Sequence, residues 1–580
     1  MVLGDLMRAL HNEIVPKISP VMEKLGLNEN LWLSSIGNST DKSHGDITLP
    51  CHAFSKILRK SPNDIATEIA NNLDSELNEI VEINIVNGFL NFKARNSWIS
   101  KMASSIFLDI RLGVGLEEPR TIVIDYSSPN IAKRMHVGHL RSTVIGDSLS
   151  RVLSFKGHIV IGENHIGDWG TPFGMLIEHY IECEDNDIDE IDLSTFYKEA
   201  RNKFDSNEKF ANRSRNRVVK LQSKDPETLM LWKSLVDYSL THFNSVYRML
   251  DVLLDDDNLA GESIYEELLP EVVNRLDSKG LIVESNGALV VFPDGWINRE
   301  NNPLPLIIRK ADGGYNYATT DLACIINRVE SIGCDEMLYV VGAEQSQHFS
   351  MVFQVARDAS LMNDQIKAVH VPFGLVLGSD GKKLASREGK AITLEELLQE
   401  SIIRAEKLIL EKNPSMSESE RKDVSQMIGI GAIKYADLSI DRNKNYVFDW
   451  DKMLSFDGNT APYLQYAHAR ICSIFRKSSI SRDSLNPEIF CTNDFEISLC
   501  KSILGFSESI DETISSYSPH RLAVYLHHLA QDFASFYENC PVLLHDDKKM
   551  MNSRLALCDL TARILRSGLG LLGIETPEKM

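Results

Sequence analysis

The chain has 580 residues, 43% hydrophobic and 25% charged, with a formal net charge of −21. At about 150 residues per domain this length suggests three or four domains, and no apolar run approaches the roughly 18 to 20 residues of a membrane span. The negative field disfavours indiscriminate nucleic-acid binding. The charge is uneven, however. Residues 127–158 carry five basic side chains against Asp147 alone, residues 464–482 carry four and no acid, and residues 182–192 hold seven carboxylates and no base. A negative body with basic patches suits recognition of one shaped RNA. Nine cysteines without a C-x-x-C pair read as reduced thiols, most of them in cores, rather than a disulfide framework or zinc site. The first 18 residues mix Asp5 and Glu13 with basic side chains and show neither a signal nor a transit pattern, so the cytoplasm is the expected location and no membrane partner is expected.

Residues 1–112 alternate helical patterns, at 6–14 and 65–73, with strand-like runs at 82–86 and 88–92, and read as a small α+β module. Residues 113–390 alternate strands at 122–125, 159–161, 289–292, 306–308 and 337–341 with helical stretches. This is the pattern of a Rossmann-like, doubly wound parallel sheet, interrupted at about 180–285 by a helical, acidic insertion. In residues 391–580 strand patterns vanish, and amphipathic periodicity at 394–410, 424–438, 464–474, 522–536 and 555–572 predicts an α-helical bundle. The fold class is therefore multidomain, α/β plus all-α.

The segment Asp125-Tyr-Ser-Ser-Pro-Asn-Ile-Ala-Lys-Arg-Met-His-Val-Gly-His139 carries the most chemistry. A β-branched run, Thr121 to Asp125, gives way through turn residues to an apolar-periodic helix, so phosphate would meet free N–H groups and a positive dipole end. Gly138 is expected to let a base or ribose approach the backbone, while His136 and His139 donate hydrogen bonds to phosphate oxygens.

Together with Leu140-Arg-Ser-Thr-Val-Ile-Gly-Asp147 and Asn164-His-Ile-Gly-Asp-Trp-Gly-Thr-Pro-Phe-Gly-Met175, this segment closely resembles the signature region of arginyl-tRNA synthetases, class I enzymes of the H-I-G-H type. The resemblance extends over essentially the whole chain. It implies that the N-terminal module contacts the outer corner of tRNA, that the insertion is the family's connective one with no editing domain, and that the bundle binds the anticodon. Gly378-Ser-Asp-Gly-Lys-Lys-Leu-Ala-Ser-Arg-Glu-Gly389 resembles the second class I signature, K-M-S-K-S, with Lys382 at the first lysine and Ser386 at the final serine. Ala385 replaces the second lysine. Nucleotidyl transfer loads charge onto the α- and β-phosphates, so a missing cation must be supplied elsewhere. Lys133 is the first candidate, as in family members with a degenerate second signature, with Lys383 and Arg387 behind it.

A planar guanidinium calls for paired carboxylates with a phenol nearby. Glu262, Tyr317 and Asp321 resemble the family positions that hold it, with Tyr317 and Asp321 on one face if a helix begins there. Asp125, Ser128, Asn130 and Gln345 match positions around the amino-acid backbone. Carboxylates built for a guanidinium fork would reject lysine or ornithine without proofreading, by around 10⁴ to 10⁵. In Asn459-Thr-Ala-Pro-Tyr-Leu-Gln-Tyr-Ala-His-Ala-Arg470, aromatics interleave with a cation as splayed RNA bases require, and the segment resembles the family's anticodon helix. Tyr463, Tyr466, Arg470 and Arg476 are the tRNA-binding candidates.

The resemblance implies arginine activation with ATP, which enters as its Mg²⁺ complex, and transfer to the terminal ribose of tRNA(Arg), with tRNA needed even for the first step. A monomer with no tightly bound metal is expected. Arg134, where many relatives carry glutamate, and Pro172, where glutamine is usual, also depart from the family pattern. These departures leave two alternatives: a catalytically inactive tRNA-binding paralogue, or a class I synthetase of another specificity.

Overall fold

A computed structural model describes residues 4–39, 44–183, 192–298, 300–382, 384, 392–478, 480–543 and 547–580. At the N-terminus, helices α1 (Gly4–Lys24) and α2 (Pro62–Asn72) pack on an antiparallel sheet of order β1-β2-β4-β3, made of Gly37–Asn38 (β1), Ile47–Pro50 (β2), Val81–Val86 (β3) and Phe89–Ala94 (β4). Ser61 caps α2 and Pro62 starts it, where a missing N–H costs nothing. Helix α3 (Asn96–Leu108) then leads to the next domain and packs against the C-terminal bundle.

The central sheet comprises Thr121–Asp125 (β5), Ile159–Glu163 (β6), Glu336–Tyr339 (β10) and Lys367–His370 (β11), all parallel in the order β11-β10-β5-β6. Its β-branched central strand is buried on both faces: Ile122 and Ile124 enter one hydrophobic core, Val123 the other, all with no exposed surface. That two-sided burial is what a doubly wound sheet requires. Helix α4 (Val137–Lys156) follows β5 and ends at Gly157, which adopts φ +106° as a left-handed cap. Within α4, Gly146 permits close packing, since a Cβ there would lie 2.3 Å from Tyr126.

The insertion is helical as expected, with α5 (Thr171–Glu182), α6 (Leu193–Ser206), α7 (Glu208–Gln222) and α8 (Pro226–Leu250). Asp192, Asn207 and Asp225 cap the last three. Two expected strands lie elsewhere than predicted. Ala288–Val291 (β8) and Leu306–Arg309 (β9) join Val283–Ser285 (β7) in a separate antiparallel sheet, not the parallel one. The physical reason is one-sided burial: Leu306 and Ile308 are buried, whereas Ile307 between them is 38% exposed. Helices α9 (Leu269–Ser278), α10 (Tyr317–Ile326) and α11 (Ser346–Asp358) pack around the second half of the parallel sheet.

The bundle consists of α12 (Leu394–Lys412), α13 (Glu418–Leu438), α14 (Ala461–Ser478), α15 (Asp494–Leu504), α16 (Phe506–Ser516), α17 (His520–Asn539) and α18 (Lys548–Leu571). Helices α15 and α16 were not foreseen in the sequence. A short parallel pairing of Val376–Leu377 (β12) with Tyr446–Val447 (β13) also departs from the expectation that strands end before residue 390. No helix among the described residues is long and apolar enough to cross a membrane.

Two buried contacts lock α4 to α13. The Arg141 guanidinium lies 3.1 Å from an Asp437 carboxylate oxygen, with the two side chains 1% and 0% exposed, and donates to the Lys444 carbonyl at 2.9 Å. One turn earlier on α13, Lys434 donates to the Leu250 carbonyl at the end of α8 and lies 3.9 Å from Asp147 of α4. Burial lowers the Lys434 pKa to about 8. Removing one partner of such a pair strands a charge in the interior. Asp437→Ala should therefore cost about 3 to 5 kcal/mol, whereas Arg141→Met with Asp437→Leu should cost less than half as much; urea unfolding of the two variants tests this.

Candidate active site

The turn between β5 and α4 is strained and heavily propped. Ser127, Ser128 and Ala132 all have positive φ, at 72°, 48° and 58°, an unfavourable conformation for side-chain-bearing residues that is typical of functional turns. Props come from three elements. Ser127 N–H donates to Ser142 Oγ (2.9 Å), Ser128 N–H to Asn164 Oδ1 (3.0 Å), and Ala132 N–H to Ser239 Oγ of α8 (3.0 Å). Asn130 bridges to Gly167, and a Cβ on Gly167 would lie 2.4 Å from Asn130 Oδ1. The two halves of the signature region are thereby zipped into one wall.

His136 is the N-cap of α4. Its Nδ1 accepts from Gly138 N–H at 3.0 Å, while His139 Nδ1 accepts from His136 N–H at 3.1 Å; the rings lie 4.1 Å apart. An imidazole whose Nδ1 accepts carries its proton on Nε2 when neutral, so both rings have a donor on the opposite nitrogen. Burial and the positive surroundings of His136 and Lys133 lower the His139 pKa to about 3, keeping that ring neutral. Gly138 also has a structural role that the sequence did not show. A Cβ there would meet the His136 ring at 2.7 Å, so glycine makes room for the capping imidazole.

Asp125 is tied into the wall by its neighbours. Its carboxylate accepts from Ser128 Oγ at 3.0 Å and from the buried Arg328 guanidinium at 2.8 Å, and it is only 5% exposed. It supports the wall from behind Ser128. Arg328 also pairs with Glu163 at 2.7 Å and lies over the Tyr339 ring at 4.7 Å. Its sequence signal was available: one arginine within the apolar run from Leu322 to Val329 must be buried and neutralised.

A cluster of carboxylates adjoins this wall. Asp168 accepts from Ser263 N–H (2.9 Å) and Oγ (2.6 Å), fixing the short helical turn that begins at Glu262. Burial pushes the Glu262 pKa up to about 7; His165 opposes this, and the charges of Asp168 and Asp321 add to it. Asp321 sits one turn into α10, four residues after Tyr317, whose side chain is 72% exposed. Its carboxylate lies 2.5 Å from His348 Nε2. His348 is on α11, just past exposed Gln345, and was not among the expected site residues.

Lys133 Nζ lies 4.4 Å from the Tyr197 ring centre on α6, and neighbouring Arg134 pairs with Asp192 at 3.3 Å. Both cations thus face the insertion. Lys382 is exposed, and its carbonyl accepts from Gly378 N–H at 2.8 Å. Lys383, Ala385, Ser386 and Arg387 lie outside the described residues. The chain after them returns beside the histidines: His136 bridges to Thr393, and Leu394 N–H donates to the Met135 carbonyl at 2.8 Å.

In the bundle, a cleft of about 680 Å³ is lined by Tyr466, Arg470, Arg476, Lys477, Tyr537 and Met580. Arg470 stacks over Tyr537 at 4.5 Å, and Arg476 donates to the Glu578 carbonyl at 2.9 Å. Tyr463 is not among the lining residues; its ring packs 5.6 Å from His527 of α17. Tyr537 and Met580 were missed because α17 and the C-terminus approach α14 only in the folded chain, whereas Lys477 lies on α14 within the basic patch already read from the sequence.

The family described as "tRNA synthetases class I (R), catalytic domain" matches residues 102–450, the "DALR anticodon binding domain" residues 464–580, and the "Arginyl tRNA synthetase N terminal domain" residues 10–94. The chain is 50% identical over 533 residues to an arginine–tRNA ligase of Thermobifida fusca, covering 91% of this chain and 92% of that protein. It is 45% identical to one from Proteus mirabilis, covering 90% and 91%. Its fold matches the crystal structure of arginyl-tRNA synthetase from Plasmodium falciparum with a TM-score of 0.81 and 29% identity, covering 99% of this chain and all of the other.

The contact of Gly138 with the His136 ring generates a prediction. Gly138→Ala should drive the ring off its cap, weakening ATP binding at least about tenfold while costing only about 1 kcal/mol of stability. Nucleotide titration and thermal unfolding of the variant measure the two effects separately; unchanged ATP affinity would refute the role given to the capped ring.

Proposed function

The chain belongs to the arginyl-tRNA synthetase family of class I, and from that premise we propose how its residues share the reaction. It is an ATP-dependent arginine–tRNA ligase, which forms arginyl-adenylate and passes the arginyl group to the 3′-terminal ribose of tRNA. The neighbouring families and ligases speak for activity and for arginine over the other two readings.

One observation carries the residue-level reading. The cluster around Glu262 gathers Glu262, Asp168 and Asp321, and burial above all, with the neighbouring carboxylates adding to it against His165, pushes the Glu262 pKa up to about 7. Such a cluster is complementary to a permanently charged planar cation. In this reading Glu262 and Asp321 take the guanidinium, with Tyr317 closing over it and the Asp321 carboxylate exchanging His348 for substrate. Ser128, Asn130 and Gln345 face the amino-acid backbone, and Asp125 holds Ser128 in place from behind. The arginine carboxylate attacks the α-phosphate of ATP, which enters with Mg²⁺ as part of the substrate, and pyrophosphate leaves.

His136 and His139 donate from Nε2 to phosphate oxygens, and the His139 ring, kept neutral by burial, loses no proton as charge builds. Lys133 leaves the Tyr197 face and supplies the cation that Ala385 lacks. Lys382, Lys383, Ser386 and Arg387 approach from the second signature segment. Its anchorage at Thr393 beside His136 supports this placement. Tyr466, Arg470 and Arg476, on the cleft between α14 and α17, stack on and neutralise anticodon-loop nucleotides of tRNA(Arg). The enzyme works as a monomer in the cytoplasm.

Arginine-dependent ATP–pyrophosphate exchange with tRNA(Arg) present tests the reading directly. Lys133→Ala should reduce exchange by about 100-fold or more, and Lys382→Ala far less; equal, mild losses would refute the compensation. Arginine binding should also depend on pH. The guanidinium stays protonated throughout, and only ionised Glu262 attracts it, so affinity rises with pH through about 7. Calorimetry should give about tenfold weaker binding at pH 6 than at pH 8, a dependence that Glu262→Gln removes.

A further inference from the structure

Away from the sites described above, two cysteines meet at the seam between the N-terminal module and the bundle. Cys491 Sγ and Cys500 Sγ lie 3.2 Å apart, nine residues distant in sequence. Cys491 is in the segment leading to α15 and is part-buried, whereas Cys500 is inside α15 with no exposed surface. A disulfide needs a sulfur separation near 2.05 Å, so side-chain rotation and a shift of about 1.1 Å suffice. Cys540, the nearby third thiol, instead faces Asn493, whose Nδ2 donates to its sulfur at 3.4 Å.

The surroundings divide the roles between the two sulfurs. The Cys500 thiol and Ser100 of α3 are hydrogen-bond partners of Cys491, and the Cys500 contact first of all holds the Cys491 pKa below its ordinary value. The same contact, together with burial, raises that of Cys500 well above its own. A part-exposed sulfur with thiolate character beside a protonated, buried one is the arrangement of an attacking and a resolving cysteine.

We infer that Cys491 and Cys500 form a modification site, a dithiol that a hydroperoxide converts to a disulfide. The Cys491 thiolate attacks the peroxide O–O bond, taking one oxygen as sulfenic acid and releasing alkoxide or, from hydrogen peroxide, hydroxide. The Cys500 sulfur then attacks the sulfenic sulfur, the S–O bond breaks, and the thiol proton leaves with the hydroxyl as water. The sulfurs lose two electrons and the peroxide gains them.

The bond would tether the segment that joins three parts of the chain. Ile489 N–H donates to Ser104 Oγ of α3 at 3.0 Å, and Phe490 N–H to Ser553 Oγ of α18 at 2.8 Å. Oxidation therefore fixes the seam between the N-terminal module and the bundle.

The test treats the full chain, natively folded, with a small excess of hydrogen peroxide, then alkylates it after unfolding and maps the peptides. Alkylation of Cys491 and Cys500 should fall by about tenfold, with a new cross-linked peptide pair lighter by two hydrogens and reversible by dithiothreitol. Cys540→Ser should leave that cross-link intact, whereas Cys500→Ala should leave Cys491 as a dimedone-reactive sulfenic acid. Deuterium exchange at Ile489 and Phe490 should slow about threefold or more in the oxidised chain. Undiminished alkylation, a Cys500 to Cys540 cross-link, or loss of the cross-link in Cys540→Ser would overturn the dithiol; unchanged exchange would overturn the tether.

Discussion

The buried grip of α4 on α13 is the interaction on which the rest depends. Helix α4 presents His136 and His139 at its first turn, and its middle turns insert Arg141 and Asp147 among Asp437, Lys434 and the Lys444 carbonyl. A buried ion pair adds little net stability, but it is intolerant of misregister, because a displaced partner leaves an unsolvated charge. The helix that carries both histidines therefore has one permitted position against the bundle that carries the basic cleft. Lys434 extends the same junction to the end of the insertion through the Leu250 carbonyl.

Around that helix, charge is distributed by contrast. The cluster of Glu262, Asp168 and Asp321 is partly buried, and that burial, helped by the neighbouring carboxylates, lifts Glu262 toward neutrality. The wall behind it satisfies its own carboxylates internally, with Arg328 filling the gap between Asp125 and Glu163. The internal guanidinium makes the wall rigid, and in the proposed reading the carboxylates beside it take an external one. Buried oxygens left poorly satisfied by a smaller cation penalise it strongly, consistent with an insertion whose described part is plain helices.

Much of this was legible in the residue order. The β-branched run at β5, the turn residues after it and the apolar period of α4 foretold a strand-turn-helix with its dipole end open, because local sterics and capping act over a few residues. Tyr317 and Asp321 were placed on one helical face by their spacing, and α10 does begin at Tyr317. The clearest failures share a cause. Residues 289–292 and 306–308 are as apolar as parallel strands, and only their partners decide which sheet they join. Likewise, the Asp125 carboxylate meets Arg328, 203 positions away, a partner that no local pattern reveals.

The sequence by itself determined the fold class and the order of its α+β, α/β and helical parts, since these follow from periodicity and turn chemistry, while the family and its site residues were legible through the resemblance of the extended motifs. Tertiary structure alone decided which side chains remain available to substrate. It gave Gly138 to the His136 ring, turned Lys133 onto Tyr197, paired Asp321 with His348, and moved Tyr463 off the cleft that Tyr537 and Met580 complete. Each of these outcomes depends on a partner distant in the chain or on the space a ring occupies, and neither is encoded in local spacing.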